Sequence, residues 1–212
     1  GLDWLLELHN SDGGWPTFCR GWGKLPFDRS GADLTAHALR AIIAWRDDVD
    51  VDRANAAIDA GLAYIMKTQR ADGAWVPLWF GNQDDPREEN PVYGTSKVLL
   101  ALVALRWIHG GSAGASPSGV ANSSSNEERE LALRRGVQWL VDHQNPDGGW
   151  GGRIVIPPST KGKAKPKPQY FSSVEETALA VESLLSTTDG RVSPDGLAFS
   201  GNKPDAMIEG AI

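Results

Sequence analysis

The sequence predicts an all-α fold built from repeated helical hairpins, and two repeated segments are the main observation behind this prediction. The first segment occurs as GLDWLLELHNSDGGW (1–15), GLAYIMKTQRADGAW (61–75) and GVQWLVDHQNPDGGW (136–150). A second segment follows each copy, as GADLTAHALRAI (31–42), VYGTSKVLLALVAL (92–105) and VEETALAVESLL (174–185). Three copies with a period of about 60 residues are typical of a repeat architecture. No alternating apolar pattern is long enough to support a sheet.

Each copy has the pattern of two helices. The stretch VDRANAAIDAGLAYIMKTQ has the three-to-four spacing of one apolar helix face, at Val51, Ala54, Ile58, Leu62, Ile65 and Met66. The second helix type, such as DLTAHALRAIIAW, carries Ala and Leu on more than one side, which predicts burial between neighbours. Asp, Ser or Thr near the start of these second helices can supply N-terminal caps.

The recurring Asp-Gly-Gly-Trp element stands where the first helix of each copy ends. Its glycines allow a sharp turn, and the tryptophan can then fold back onto the helix end. We therefore interpret Trp15, Trp75 and Trp150 as structural clamps, with direct chemistry as the alternative.

The spacing between the two segments locates an insertion. Thr35 and Thr95 each follow their tryptophan by 20 residues, whereas Thr177 follows Trp150 by 27. The extra length coincides with the Pro- and Lys-rich stretch 157–169, and a low-complexity stretch covers 110–126. Both are interpreted as connections, so residues 1–212 form one domain with repeats at 1–50, 51–125 and 126–212.

Composition and charge exclude several functions. The net charge of −6 argues against binding nucleic acid, and the cluster Lys161, Lys163, Lys165 and Lys167 has the composition of a solvated loop. The single Cys19 excludes an internal disulfide and a multi-cysteine zinc site. No apolar run reaches the length of a membrane span, and the start of the chain has no signal-peptide pattern.

Several motifs together resemble one family. Gln69 and Gln144 each precede a tryptophan by six residues and complete the pattern Q-x-x-D-G-x-W, while His9 fills this position in the first copy. This pattern resembles the QW repeat of the squalene–hopene and oxidosqualene cyclases. SGADLTAHAL is similar to the family's D-V-T-A-H-V-L helix start, and DGAW followed by NPVYGTSKVLLAL is similar to its W-to-Y-G-T segment. RRGVQWLVDHQNPDGGWGG followed by SSVEETALAVESLL is similar to its late repeat, with Glu176 where the family usually has Gln.

The resemblance implies the C-terminal half of such a cyclase, and hence part of an (α/α) barrel, the helical toroid of this family. It also implies roles for individual residues. His37 would orient the catalytic aspartic acid, and Asp33 would belong to the same catalytic apparatus. Trp75 would lie at the edge of the cyclisation cavity, with Tyr93, Trp79 and Phe80 as further cavity residues. Alternative roles remain open: a structural histidine for His37, a helix cap for Asp33, and a repeat clamp for Trp75.

The sequence departs from the family at three places. The D-x-D-D motif of the family's proton donor is absent from the 212 residues, as is the aromatic-rich C-terminal segment. The segment FGNQDDPREEN lengthens the W-to-Y-G-T region, and Pro91 replaces a tyrosine of the family. Because Gly1 aligns with mid-helix and DAMIEGAI has the pattern of a helix start, we expect a chain truncated at both ends and inactive alone.

We therefore predict part of a terpene cyclase that needs no cofactor or metal and acts on a squalene-like isoprenoid. The alternative is a non-catalytic helical scaffold that binds a lipid or a protein. The zinc site of a protein prenyltransferase and the Cys-Gln pair of a thioester protein are both missing around Cys19. We expect a cytoplasmic location, and the resemblance implies peripheral attachment of the full-length protein to the inner membrane. The oligomeric state is left open.

Overall fold

The computed structural model describes residues 1–19, 28–110, 123–157 and 167–188. Within them the α-helices are α1 (Leu2–Leu8), α2 (Ala32–Ala44), α3 (Val51–Thr68), α4 (Pro91–Gly110), α5 (Ser123–Asp142) and α6 (Val174–Thr188). A 3₁₀ helix covers Arg46–Asp48, and two strands cover Trp150–Val155 (β1) and Gln169–Ser173 (β2). The prediction of an all-α fold is confirmed. Most of the low-complexity stretch, the centre of the Lys-rich stretch and the segment DAMIEGAI lie outside the described residues.

The helices form two layers that follow the two repeated segments. Helices α2, α4 and α6 pack side by side as an inner layer, with α4 between the other two. Helices α1, α3 and α5 form the outer layer: α1 and α3 pack on α2, and α5 packs on α4. Helix α3 buries one stripe, consisting of Ala54, Ala57, Ile58, Gly61 and Ile65. In α4, five consecutive residues from Val98 to Leu102 are buried, which one helix face cannot accommodate. This arrangement is that of part of an (α/α) barrel.

Three clasps of the same geometry join the layers, where a clasp is the Asp-Gly-Gly-Trp or Asp-Gly-Ala-Trp element of one repeat. Each tryptophan is at most 1% exposed, and its indole N–H donates to a carbonyl near the end of the preceding outer helix. These distances are 2.9 Å for Trp15, 2.8 Å for Trp75 and 2.7 Å for Trp150. Each tryptophan backbone N–H donates over 3.0 Å to the hydroxyl of Thr35, Thr95 or Thr177. One residue thus fastens an outer helix to the start of the next inner helix.

The first two clasps also pack against the next outer helix, at a glycine. A Cβ added to Gly61 would lie 2.8 Å from the ring of Trp15, and one added to Gly136 would lie 2.8 Å from the ring of Trp75. The turn glycine Gly73 has φ of +102°, and its Cβ would lie 2.6 Å from a carbonyl oxygen of α5. The recurring glycines therefore let consecutive repeats approach closely.

A short antiparallel sheet after Trp150 contradicts the expectation that no strand is present. Strands β1 and β2 pair with Arg153 opposite Phe171, and the register is irregular between Trp150 and Arg153. Gly151 and Gly152, at φ of +65° and +69°, cause this irregularity and interrupt any alternating pattern in the sequence. The two strands hold the ends of the inserted stretch together, so that α6 begins where an inner helix is needed.

Candidate active site

The first turn of α2 carries a buried carboxylate. Asp33 is 1% exposed, and its Oδ1 accepts a hydrogen bond of 3.4 Å from the backbone N–H of Leu78. Its Oδ2 is buried and has no hydrogen-bond partner among the described residues. Burial raises the pKa of this carboxyl above its usual range. The residue preceding the helix is Gly31, and no side chain caps the helix there. Asp33 therefore joins the start of α2 to the segment after Trp75 and is not its N-terminal cap.

His37 follows Asp33 by one helical turn and is exposed. The surrounding protein partly desolvates its ring, and this is the main cause that lowers its pKa. The charges of Lys97 on α4 and Arg40 on α2 lower it further, while the charge of Asp33 opposes them. The imidazole is therefore held towards its neutral form, which has one N–H to donate and one nitrogen to accept.

Aromatic side chains border the same region. The rings of Phe80 and Tyr93 stack with centroids 4.5 Å apart and planes inclined by 17°. Tyr93 is 7% exposed, whereas Phe80 is 50% exposed and Trp79 is 48% exposed. Burial raises the pKa of Tyr93, and the negative charge of Asp33 raises it further. The indole N–H of Trp79 donates to the hydroxyl of Thr17. We call the group Asp33, His37, Trp79, Phe80 and Tyr93 the acid–aromatic cluster.

Trp75 lies apart from this surface. It is fully buried in its clasp, with its indole N–H bonded to Ile65 and its ring against Gly136. The glutamine of the same repeat, Gln69, donates from its amide to Gly73 O at 2.9 Å and to Ala132 O at 2.8 Å. These two bonds tie the end of α3 to its own turn and to α5.

In the other two repeats, Gln144 and His9 occupy the position equivalent to Gln69. Gln144 donates to the turn carbonyl of Gly148 at 2.8 Å. His9 packs edge-on against Trp15, with ring centroids 5.6 Å apart. All three residues therefore support a clasp, although the histidine does so through its ring.

The segment that lengthens the W-to-Y-G-T region contributes to a groove of about 450 Å³, lined by Val76 to Trp79 on one side and by Arg87 to Glu89 on the other. Glu89 anchors this segment by accepting a hydrogen bond of 2.7 Å from Arg70, an interaction that raises the pKa of the guanidinium. Arg87 lies 3.5 Å from the same carboxylate. The insertion therefore places charged groups beside Trp79.

Two basic residues near the cluster were missed by the sequence analysis. Lys97 Nζ lies 5.2 Å from the ring centroid of Tyr93, and Arg40 is exposed three residues after His37. The available signal was helical spacing, because residues three or four apart share a helix face. Tyr93 and Lys97 are four apart, as are Asp33 and His37.

The described residues offer neither a metal site nor a membrane-spanning helix. Among the residues that the structure describes, no three His, Cys, Asp or Glu side chains come together as ligands for a metal ion. None of the helices in the same ranges combines the length and the apolar character that crossing a membrane requires.

The layered helical hairpins and their repeated clasps define an α/α-repeat protein with a buried acid beside exposed aromatic rings. The profile of the squalene-hopene cyclase C-terminal domain matches residues 1–197, and the chain belongs to this family. It is 28% identical over 163 residues to a probable squalene–hopene cyclase of Sinorhizobium fredii, covering 71% of this chain and 21% of that protein. A squalene–hopene cyclase of Bradyrhizobium diazoefficiens is 26% identical over 163 residues, covering 71% and 20%.

A relative that is not named as a squalene–hopene cyclase has a comparable identity and coverage. The drimenyl diphosphate synthase of Streptomyces showdoensis is 30% identical over 148 residues, covering 70% of this chain and 21% of that protein. The chain thus spans about a fifth of the length of these relatives.

Proposed function

We propose that this chain is part of a terpene cyclase that closes the rings of a linear isoprenoid through a cationic cascade. The observation that carries the proposal is the acid–aromatic cluster, in which a buried carboxylate and a histidine lie beside stacked aromatic rings. Family membership supports the same reaction class. We assign Asp33, His37, Trp79, Phe80 and Tyr93 to this site, and Trp75 to its structural support.

The reaction starts with protonation of a terminal alkene, which requires an unusually strong acid. In this proposal the acid lies in a part of the protein outside these 212 residues, and the 212 residues alone are inactive. The neutral imidazole of His37 donates a hydrogen bond to that acid. Such a bond favours the carboxylate that remains after proton transfer and so lowers the pKa of the acid. His37 is therefore a positioning residue.

After protonation, the positive charge moves along the isoprenoid as carbon–carbon bonds form, and the cascade ends when a carbon loses a proton. The faces of aromatic rings carry negative potential and attract such cations. Phe80 and Trp79 are both about half exposed, and the ring of Phe80 that stacks on Tyr93 leaves its other face for a bound hydrocarbon. No cofactor takes part in this reaction, because protonation and deprotonation balance.

The test uses the complete protein encoded by the gene, incubated with squalene and with shorter polyprenes. Mass spectrometry should detect cyclic products with the mass of the substrate. His37→Ala should lower kcat by about 10- to 100-fold, because a hydrogen bond to a charged group contributes about 1.5–3 kcal/mol and about 1.36 kcal/mol corresponds to a tenfold change in rate. It should also move the alkaline limb of the kcat profile to higher pH, because the acid loses the partner that lowers its pKa.

His143→Ala is the matched control. His143 stacks on Trp139, with centroids 4.0 Å apart, just beyond the outer helix α5. Its removal should leave kcat and the pH profile unchanged. Absence of cyclic products from every polyprene tested would contradict the proposal and favour a non-catalytic scaffold that binds a lipid or a protein. Sequencing the gene upstream of Gly1 gives a further check, because the enzyme requires a D-x-D-D motif there.

Peripheral membrane attachment of a cytoplasmic protein belongs to the same proposal. Co-sedimentation of the complete protein with lipid vesicles measures it directly. Recovery of all the protein in the supernatant would contradict membrane attachment, and intact cyclase activity in that fraction would show that catalysis does not depend on attachment.

A further inference from the structure

One segment of the chain bridges the three repeats beside the acid–aromatic cluster. We call residues 78–90, which include most of the inserted residues before α4, the bridging segment. At its start, the backbone N–H of Leu78 donates to Asp33 Oδ1 over 3.4 Å. The indole N–H of Trp79 donates to the hydroxyl of Thr17. Both acceptors belong to the first repeat, so the bridging segment starts in contact with that repeat.

The end of the bridging segment is fixed within the second repeat. Glu89 accepts a hydrogen bond of 2.7 Å from Arg70, which follows α3. The next residue, Asn90, is buried, and its Oδ1 accepts a hydrogen bond of 3.0 Å from the backbone N–H of Tyr93. Tyr93 lies in the first turn of α4, so Asn90 caps this helix. The segment therefore ends at the start of the middle inner helix.

Asn82 connects the middle of the bridging segment to the third repeat. Its Nδ2 donates to the backbone carbonyl of Gly152 over 2.8 Å. Gly152 lies in β1 where the register is irregular, and its N–H donates over 3.0 Å to Glu176 Oε2 in the first turn of α6. Both backbone polar groups of Gly152 therefore serve contacts between elements. Through Gly152, Asn82 joins the bridging segment to the start of α6.

These contacts determine the position of Phe80, which lies two residues before Asn82. One face of the Phe80 ring stacks on Tyr93, with centroids 4.5 Å apart. Stacked rings tolerate a range of offsets, whereas a hydrogen bond weakens steeply when its angle changes. The directional bond from Asn82 to Gly152 therefore fixes the offset of Phe80 on Tyr93.

We propose that Asn82 is a positioning residue that controls which cyclic products are formed. This inference rests on the proposed function, because it concerns the cationic cascade at the same site. The free face of Phe80 attracts positive charge within about 6 Å of the ring centroid. Its position selects which carbocation persists long enough to lose a proton from an adjacent carbon. One proton is added and one is released on every route, so all the products are isomers of the substrate.

Asn82→Asp removes only the donor of this bond. The side chain keeps its shape and its Oδ1, which accepts a hydrogen bond of 2.9 Å from the backbone N–H of Asp84. The complete protein is incubated with squalene and shorter polyprenes, and gas chromatography with mass spectrometry gives the ratio of cyclic products. This ratio should change by about two- to thirtyfold, the factor that corresponds to one cation–π contact. A purely structural role of Asn82 would lower the total amount of product without changing the ratio.

Hydrogen exchange detects the same bond without catalysis. The backbone N–H groups of Asp85 and Glu88 donate within the bridging segment, to carbonyls at 3.0 Å and 2.9 Å. In Asn82→Asp these two amides should exchange about two- to tenfold faster, because the segment loses one hydrogen bond that opposes its local opening.

Two further variants separate the bond from the added charge. Gln83→Glu is the matched control, because it adds the same charge at an exposed neighbouring position and leaves the bond of Asn82 in place. It should change neither the product ratio nor the exchange. Asn82→Ala removes the donor without adding charge, and it should change the product ratio in the same direction as Asn82→Asp.

Three outcomes would overturn the inference while leaving the proposed function intact. The first is an unchanged ratio of cyclic products in Asn82→Asp despite faster exchange. The second is unchanged exchange in this variant, which would show that the bond does not hold the segment. The third is an equal change of the ratio in Gln83→Glu, which would assign the effect to charge. Absence of cyclic products from the parent protein with every polyprene would instead contradict the proposed function, and the inference with it.

Discussion

Replacement of Thr95 by valine tests the hydrogen bond at the centre of a clasp. The backbone N–H of Trp75 lies 3.0 Å from Thr95 Oγ1, and both residues are fully buried. Valine has nearly the same shape but offers no acceptor, so this N–H would remain buried without a partner. Such a loss costs about 1–3 kcal/mol of the free energy of unfolding. For a chain of this size the melting temperature should fall by about 2–12 °C, at roughly 2–4 °C per kcal/mol.

Serine at the same position separates the hydrogen bond from packing. Thr95→Ser keeps the hydroxyl and removes one buried methyl group, which costs about 0.8 kcal/mol. Thr68→Val is a control, because Thr68 only donates to carbonyls of its own helix. Urea unfolding followed by tryptophan fluorescence gives all four stabilities on one scale.

Thr95→Val should be the least stable of these four proteins. This prediction would be refuted if the valine variant were as stable as the parent, or more stable than the serine variant. The other clasps provide a repetition of the experiment. Thr35 is fully buried and should behave like Thr95, whereas Thr177 is half-buried and should show a smaller loss.

Three further changes have defined outcomes. Gly73→Ala should lower the urea midpoint by the equivalent of about 2 kcal/mol or more, because alanine disfavours positive φ and its Cβ would approach the carbonyl of Arg135 to 2.6 Å; an unchanged midpoint would contradict this. Gln69→Met should cost about 1–3 kcal/mol through loss of the bonds to Gly73 and Ala132, and the same titration measures it. Asp33→Asn should be more stable than the parent at about pH 7. The pKa of Asp33 is raised on folding, so ionisation opposes folding above the folded pKa and has no effect below the unfolded one. The advantage of Asp33→Asn should therefore disappear as the pH falls towards about 4, and a constant advantage over this range would show that charge is not its cause.

The clasps show how far the sequence alone leads. The matching positions of Thr35, Thr95 and Thr177 align the repeats, and the structure shows all three bonded to a tryptophan backbone. The sequence does not reveal that each of the first two tryptophans packs on a glycine of the following outer helix. Those contacts join residues of different repeats, and local spacing carries no information about which helix faces meet.

The strands after Trp150 show a different limit. Their pairing depends on two successive glycines with positive φ, which remove the alternation by which a strand is recognised. The partner strand lies at the far end of the inserted Pro- and Lys-rich stretch. The spacing between Trp150 and Thr177 indicated an insertion, but it did not predict that β1 and β2 pair across its ends.

Periodicity and the turn chemistry of glycine are local properties, so the all-α class, the repeat and the residues that end each outer helix follow from the sequence. It also identified Asp33, His37 and the aromatic residues as candidates. Tertiary packing alone buries Asp33, leaves its Oδ2 without a hydrogen-bond partner among the described residues, and brings Lys97 beside Tyr93. Desolvation and charge proximity arise when α2, α4 and the segment after Trp75 pack together, and no single segment contains that information.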